Sequence, residues 1–408
     1  MKNLKPYVWL VALALSAAAP AQTKIALTEP KVSAASAIAI DAESGKILWQ
    51  KNADASRFPA STTKIMTAML LIENCTADEV IVAPPDIEKV GESSMHLKPG
   101  ERITAADMLY ALMLRSANDG CVAVADHIAG SVPKFVEMMN AKAKALGCTN
   151  THFDNPNGLN DPKHTTTAHD LALIARAAMR YPIFEQVVRT TKHVIKRDPK
   201  ISRDDLMFNH DKLLMKDPSA DGIKTGWTIP AGRCFVGSAT RDGYRVITVV
   251  LKSQDWQKDD QILLNWAFAD HNREYAFRPG QMLGPLPVEG GTSPSVELVP
   301  AYDPVHIWRK DAAKNLQVKF DHPAEVMAPV KKGQKLGQVV LTDEDGFTQA
   351  VDLLAAQEVK QTVAAHIVGK AEATPSFVFI GGCLTLGAFY MRAKTRRRFR
   401  PSKAIRHG

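Results

Sequence analysis

Strand patterns stand at the beginning and at the end of the first 270 or so residues, and helical patterns fill the segment between them. Residues 36–40 and 46–49 flank a turn at 41–45, which is a hairpin signature. Three more strand patterns follow the helical middle, at 222–228, 233–240 and 244–251. This order predicts an α+β fold in which one antiparallel sheet is assembled from both ends of the segment and covered by helices.

The helical middle shows apolar residues at helical spacing. Such patterns predict helices at 61–72, 105–113, 121–128 and 170–179, and a further helix at 259–268 closes the unit. Between the last two strands, Asp242 and Gly243 favour a tight antiparallel turn. We therefore predict one domain over residues 32–275, with a mainly helical subdomain beside the sheet.

The character of the sequence changes near residue 279, where prolines and glycines exclude long helices. Short alternating runs at 316–320 and 337–341 then predict a small β-rich domain over 279–370. This region contains no group of residues that suggests catalysis.

Both ends of the chain resemble targeting segments. Residues 1–21 combine two lysines, an apolar run and a small-residue cleavage site, which predicts a signal peptide. Residues 373–391 carry no charge, which predicts a short transmembrane segment, and residues 392–408 hold eight basic and no acidic residues. Because basic residues mark the cytoplasmic side, we expect an inner-membrane protein whose main domains lie on the extracytoplasmic, periplasmic side. A buried C-terminal core helix is the alternative.

The formal charge of +8 comes from 51 basic and 43 acidic residues. The basic tail accounts for all of this excess, so the charge gives no reason to expect a nucleic-acid partner.

The cysteines and histidines give no metal-binding spacing. The five cysteines form no CxxC pair, and Cys121, Cys148 and Cys234 stand in apolar contexts that favour free buried thiols. His164 and His169 are five residues apart, which does not match helical ligand spacing. We therefore predict no disulfide, no metal and no cofactor.

A serine and a lysine at the start of the first predicted helix suggest nucleophilic chemistry. Ser61 and Lys64 are three residues apart, so their side chains share one helix face. The helix N-terminus can stabilise negative charge during attack by the serine. A desolvated lysine has a lowered pKa and can serve as the general base.

The Ser-x-x-Lys string is not specific by itself, because a serine at a helix start is usually an N-cap. A second copy begins at Ser131, but it contains Pro133 and precedes no apolar run. We interpret that copy as a loop or a helix start.

Further motifs remove this ambiguity. The chain also contains Ser116-Ala117-Asn118 and, on a predicted strand, Lys224-Thr225-Gly226. In order, spacing and predicted secondary structure, the three motifs resemble those of active-site serine penicillin-binding proteins and β-lactamases. The surrounding sequence is similar to low-molecular-mass penicillin-binding proteins of the D-alanyl-D-alanine carboxypeptidase family, including Asn157-Gly158-Leu159 and residues 58–67, 93–101 and 221–228.

The resemblance implies a role for each matching residue. Ser61 would attack the carbonyl of the penultimate D-Ala of a peptidoglycan stem peptide, with Lys64 taking its proton and β-lactams acting as covalent inhibitors. Ser116 would relay a proton to the leaving group. The other implied contacts are substrate binding by Asn118, Lys224, Thr225 and Gly226, an oxyanion hole from the backbone of Ser61 and Trp227, and a basic residue in the cleft, for which His210 is a candidate.

One departure from the family pattern concerns carboxylate recognition. Family members commonly place an arginine in the loop after the last strand of the domain, whereas residues 252–259 contain lysines and no arginine. This leaves strict carboxypeptidase specificity open, with a D,D-endopeptidase and a β-lactamase-like hydrolase as enzymatic alternatives. A catalytically weak cell-wall-binding protein is the non-enzymatic alternative.

Overall fold

The computed structural model describes residues 28–201, 204–312 and 314–365. The predicted signal peptide, transmembrane segment and basic tail therefore lie outside the described residues. Within the described residues, no helix combines the length and the apolar character needed to cross a bilayer.

The described residues between 36 and 275 form ten strands and seven α-helices. The strands are β1 (Ser36–Asp41), β2 (Ile47–Lys51), β3 (Val80–Val82), β4 (Arg102–Thr104), β5 (Lys192–Val194), β6 (Leu206–Phe208), β7 (Ala220–Thr228), β8 (Gly232–Arg241), β9 (Tyr244–Ser253) and β10 (His271–Tyr275). The helices are α1 (Lys64–Asn74), α2 (Ala105–Tyr110), α3 (Asn118–Ala129), α4 (Val132–Ala145), α5 (Ala168–Ala178), α6 (Pro182–Arg189) and α7 (Trp256–Asp270). Short 3-10 turns lie at Ala60–Thr63, Ile87–Lys89 and Lys212–Met215, and a π-helical turn at Ala111–Arg115 continues α2.

Five strands form the predicted antiparallel sheet, in the order β2-β1-β9-β8-β7. The N-terminal strand β1 pairs with β2 on one side and with β9 on the other, with Ser36 opposite Leu251. The β8–β9 turn has positive φ at Asp242 and Gly243, as the tight turn requires. In the sheet as described, β7 is an edge strand.

Helices cover the sheet and share one core with it. Residues such as Ile65 and Met69 of α1 and Ile247 of β9 belong to a single buried cluster. The sequence patterns predicted no helix at α6 and left the start of α4 open between a loop and a helix start, and both helices carry a proline in the first turn. Proline is tolerated there because the first N–H groups of a helix have no intrahelical partner. Ser131 is the N-cap residue of α4, as one of its two interpretations predicted.

The C-terminal part is β-rich, as predicted. Its strands are β11 (Pro285–Glu289), β12 (Ser295–Pro300), β13 (Val305–Arg309), β14 (Gln317–Asp321), β15 (Val326–Met327), β16 (Lys335–Thr342) and β17 (Thr348–Ala355). Six of them form a sheet in the order β14-β16-β17-β12-β11-β15 with its own apolar core. The strand β13 instead pairs with β10, which links this part to the end of α7.

Candidate active site

Ser61 lies in a tight 3-10 turn that runs directly into α1. Its neighbour Ala60 has a φ of 50°, a left-handed conformation that is uncommon outside glycine. The predicted helix therefore starts as a 3-10 turn, and Pro59 rather than Ser61 precedes it as the N-cap. The Ser61 hydroxyl is consequently not used as a helix cap, and it lines a cavity.

Gly226 of β7 lies against this turn. A Cβ atom at Gly226 would lie 3.0 Å from the backbone nitrogen of Ser61 and 3.1 Å from that of Thr62. A side chain at this position would therefore crowd the nitrogen that the predicted oxyanion hole uses. The close approach brings the β7 edge next to the candidate nucleophile.

Lys64 is fully buried and makes three short polar contacts. Its Nζ lies 2.9 Å from Ser61 Oγ, 2.7 Å from Asn118 Oδ1 and 2.7 Å from the Asn157 carbonyl oxygen. Desolvation by burial lowers the pKa of Lys64 to about 8, against weaker opposing effects of Cys121, Glu92 and Asp119. This agrees with the lowered pKa expected from the sequence.

The geometry around Lys64 orients a neutral amine. The carboxamide oxygen of Asn118 and the carbonyl of Asn157 can only accept hydrogen bonds, so they engage two N–H groups of Nζ. A neutral amine has only these two N–H groups, so it presents its lone pair to Ser61 Oγ. The Ser61 hydroxyl then donates to that lone pair, which is the arrangement that a general base requires.

The Asn157 segment contributes to this site through its backbone. Gly158 has a φ of 89°, and a Cβ atom there would lie 1.9 Å from the Ala60 carbonyl oxygen. Only glycine fits, because both its conformation and the space beside Ala60 exclude a side chain. Asn157 was not among the predicted catalytic residues, although the Asn-Gly-Leu motif was noted, since a side-chain motif does not reveal a backbone contact.

Ser116 is buried at the end of the π-helical turn and has a φ of 64°. Among the described residues, no group hydrogen-bonds its Oγ, and Ser116 lines the same cavity as Ser61. Non-glycine residues in this conformation are found at functional sites more often than elsewhere. The hydroxyl is thus positioned to interact with a group in the cavity.

Asn118 does not face the cavity with free polar atoms. Its Oδ1 accepts from Lys64, and its Nδ2 donates to the Gly91 carbonyl oxygen at 3.1 Å. The neighbouring Asp119 accepts hydrogen bonds from Ser94 and from the backbone of Leu97. These bonds hold the loop before β4 against the start of α3, so Asn118 orients Lys64 in this structure.

Lys224 of β7 is also buried, and its Nζ donates to the Thr225 carbonyl oxygen at 3.0 Å. No ion pair to Lys224 occurs within the part of the chain that the structure describes. Desolvation, followed by the positive charge of Lys64, lowers the pKa of Lys224 to about 7. Burial thus brings the pKa of Lys224 close to neutral pH, so the amine is only partly charged there.

A cavity of about 320 Å³ joins the three motifs. Its walls include Ser61, Ser93, Ser116, His210, Lys212, Thr225, Gly226, Trp227, Arg233, Trp256 and Gln257. Trp227 is 63% exposed at its rim. A larger cavity of about 570 Å³ lies near Asp41 and Arg245, at the opposite end of the sheet, but none of its lining residues is a candidate nucleophile.

His210 and Arg233 determine part of the charge at the cavity, and neither matches the sequence expectation fully. His210 lies at its rim, where desolvation and the positive charge of Lys224 lower the histidine pKa, so the ring is neutral at pH 7. Arg233, at the start of β8, was not predicted and supplies a guanidinium, with one N–H bonded to the Gln254 carbonyl oxygen. The loop at 252–259 holds no arginine, as the sequence shows, and Arg233 brings a guanidinium to the same cavity from a neighbouring strand.

His164 has a structural role close to the nucleophile. It is 1% exposed, its Nδ1 accepts from the Asp154 backbone N–H at 3.0 Å, and its Nε2 donates to Thr63 Oγ1 at 2.8 Å. Desolvation lowers its pKa to about 4, so it is a neutral core histidine. His169 contacts Asp54 at 3.0 Å instead.

Two family models match the chain. One, described as D-alanyl-D-alanine carboxypeptidase, matches residues 23–255. The other, described as penicillin-binding protein 5, C-terminal domain, matches residues 276–361. Together they cover the serine-bearing domain and the β-rich region.

Characterised relatives and solved structures match over most of the chain. D-alanyl-D-alanine carboxypeptidase DacF of Bacillus subtilis is 32% identical, with 80% of this chain and 85% of the relative covered. DacC of Escherichia coli is also 32% identical, with 76% and 80% covered. Penicillin-binding protein 5 of Haemophilus influenzae superimposes with a TM-score of 0.68 at 27% identity, covering 82% of this chain and all of that one.

Proposed function

Because the chain belongs to the D-alanyl-D-alanine carboxypeptidase family, we propose that Ser61 and Lys64 are its nucleophile and general base. The enzyme is a serine-type D-Ala-D-Ala carboxypeptidase of the penicillin-binding protein class. The observation that carries the assignment of residues is the contact of 2.9 Å between Lys64 Nζ and Ser61 Oγ, in a site where two carbonyl groups fix the amine.

In the acylation step, Ser61 Oγ attacks the carbonyl carbon of the penultimate D-Ala while its proton passes to neutral Lys64. Backbone N–H groups of Ser61 and Trp227 stabilise the oxyanion that forms. The C–N bond then breaks, and the proton reaches the leaving nitrogen through the hydroxyl of Ser116. Free D-Ala departs, and water later hydrolyses the ester on Ser61.

Substrate binding uses the edge of β7 and the cations around it. An extended peptide can add to this edge as a further strand, with Gly226 allowing its backbone to come close. Thr225 donates its hydroxyl, and Lys224 and Arg233 attract the terminal carboxylate. Asn118 orients Lys64 through their hydrogen bond. The neutral ring of His210 lines the cleft.

The reaction is tested by mass spectrometry of the products from a pentapeptide ending in D-Ala-D-Ala, incubated with the full chain in detergent. We expect a product one D-Ala shorter together with free D-Ala, because the free terminal carboxylate is the recognised group. A crosslinked dimeric peptide serves as the comparison substrate. Cleavage of the crosslink with the pentapeptide left intact would contradict a carboxypeptidase and favour the D,D-endopeptidase alternative.

The proposed location is the extracytoplasmic face of the inner membrane, with residues 373–391 as the anchor. The uncharged run followed by the basic tail supports this proposal. Removal of residues 373–408 should release active enzyme into the soluble fraction. A matched chain that keeps 373–391 and loses only 392–408 should stay with membranes. Membrane retention of the first variant at high salt, where surface charges are screened, would show that another segment anchors the protein.

A further inference from the structure

A cluster of three metal-ligating side chains lies at the far end of α1, away from the catalytic residues. Cys75 is the C-cap residue of α1, Glu79 follows it in the next turn, and His127 is in the last turn of α3. The Cys75 Sγ, a Glu79 carboxylate oxygen and a His127 ring nitrogen all lie within 4.8 Å of one another. We propose that these three residues bind a divalent transition-metal ion of the zinc class.

The backbone around the cluster is fixed before any ion binds. The Cys75 N–H continues the α1 hydrogen bonds to Leu71. The Glu79 N–H donates to the Thr76 carbonyl oxygen, and the Thr76 N–H donates to one oxygen of the Glu79 carboxylate. The other oxygen of that carboxylate lies 2.8 Å from His127 Nε2. Glu79 on this preformed turn and His127 on α3 are thus already oriented toward each other.

The spacing suits tetrahedral coordination with an open position. Zinc binds thiolate at about 2.3 Å, imidazole at about 2.0 Å and carboxylate at about 2.1 Å, which places the ligand atoms about 3.5 Å apart. Side-chain rotations would have to bring the three atoms, which lie within 4.8 Å of one another, to this separation and widen the 2.8 Å contact between Glu79 and His127. With His127 as the third ligand, water fills the fourth position. A soft sulfur ligand selects zinc-class ions over Mg²⁺ and Ca²⁺.

The state of Cys75 supports a ligand role independently. Among the described cysteines, Cys121, Cys148 and Cys234 are free and buried, whereas Cys75 is free and partly accessible. His127 and Glu79 are also partly accessible, with side chains 25% and 38% exposed. An ion can therefore reach all three groups from solvent. On binding, Cys75 loses its thiol proton to solvent and forms a sulfur–metal bond.

The position of the ion gives it a structural role. The helix α1 begins at Lys64 and ends next to Cys75, and α3 begins at Asn118 and carries His127 near its end. The ion would join the C-terminal ends of α1 and α3. The N-terminal ends of the same two helices hold Lys64 and Asn118, which are hydrogen-bonded to each other. At 1.5 Å per residue, α1 separates the two sites by about 16 Å. The site stabilises this helix pair without touching the substrate.

Cobalt substitution tests the proposal on the full chain in detergent, purified without a histidine tag and treated with a chelator. We expect one equivalent of Co²⁺ to bind with a thiolate-to-metal charge-transfer band, release about one proton and be displaced by Zn²⁺ but not by Mg²⁺. Cys75→Ser should lose the band, and His127→Gln should weaken binding at least about tenfold. Cys148→Ser, which removes a buried thiol elsewhere, should behave as the wild type.

Thermal unfolding provides a second measurement. Added Zn²⁺ should raise the unfolding midpoint of the wild type and of Cys148→Ser, but not that of Cys75→Ser, because the ion binds only the folded cluster. A charge-transfer band that persists in Cys75→Ser would overturn the proposal, as would the absence of stoichiometric binding to the wild type.

Discussion

Replacing Ser61 with alanine should abolish covalent labelling by a β-lactam and reduce peptide turnover by about 10⁶-fold, the scale seen when a serine hydrolase loses its nucleophile. The physical reason is that no other hydroxyl in the cavity has Lys64 as a partner. The Ser116 hydroxyl lines the same cavity but has no hydrogen-bonding partner among the described residues. Mass spectrometry of the intact protein after incubation with a labelled penicillin measures the adduct.

Ser131→Ala is the matched control. Ser131 begins the second Ser-x-x-Lys string, and its side chain makes no capping hydrogen bond at α4, so its removal should change neither labelling nor stability. Labelling that survives in Ser61→Ala would refute the assignment of the nucleophile. Labelling that is lost in Ser131→Ala would refute the claim that the two strings differ.

The two buried lysines should give a bell-shaped dependence of kcat/KM on pH. The proposed mechanism needs a neutral Lys64, whose pKa is lowered to about 8, and a charged Lys224, whose pKa is lowered to about 7. Activity should therefore rise with pH as Lys64 loses its proton and fall as Lys224 loses its charge. Because the two lysines interact, the apparent pKa values near 7 and 8 belong to the pair and not to one residue each. Which lysine titrates first changes the maximum activity, but the profile is bell-shaped in either case.

Arginine variants separate the two limbs. Lys64→Arg keeps the positive charge but cannot accept a proton, so acylation should be lost. Non-covalent substrate binding and the midpoint of thermal unfolding should stay near the wild-type values, which shows that the variant is folded and its pocket intact. Lys224→Arg stays charged, so the falling limb should disappear and KM should change more than kcat. Acylation of Lys64→Arg at near wild-type rate would show that Ser61 loses its proton by another route.

Much of the fold could be read from local patterns. The hairpin of β1 and β2 and the turn at Asp242 and Gly243 follow from turn chemistry and alternation, which act over a few residues. Pro133 left the string at Ser131 open between a loop and a helix start, although a proline is an ordinary residue in the first turn of a helix, and no helix was predicted at α6. The π-helical turn before Ser116 was also missed, since apolar periodicity does not distinguish it from an α-helix.

The candidate site was less predictable where it depends on backbone and cross-strand contacts. The side-chain motifs pointed to Ser61, Lys64 and Lys224 as candidates, and the structure brings Ser61 and Lys64 into contact. The Asn157 carbonyl next to Lys64 and the arginine at 233 depend on how distant segments meet in space. The cluster of Cys75, Glu79 and His127 escaped prediction for the same reason, as its third member is distant in sequence.

The position of β1 in the middle of the main sheet has a consequence for the folding of the chain. Its partner β9 follows it by about 200 residues, with Ala37 opposite Val250, so one side of β1 stays unpaired until nearly the whole domain has been synthesised. Contacts between such distant segments slow folding, because a long loop must close first. A chain that crosses a membrane unfolded would thus complete its sheet only on the far side. A partly exported chain would have no catalytic site, since β7 is held in place through β8 and β9.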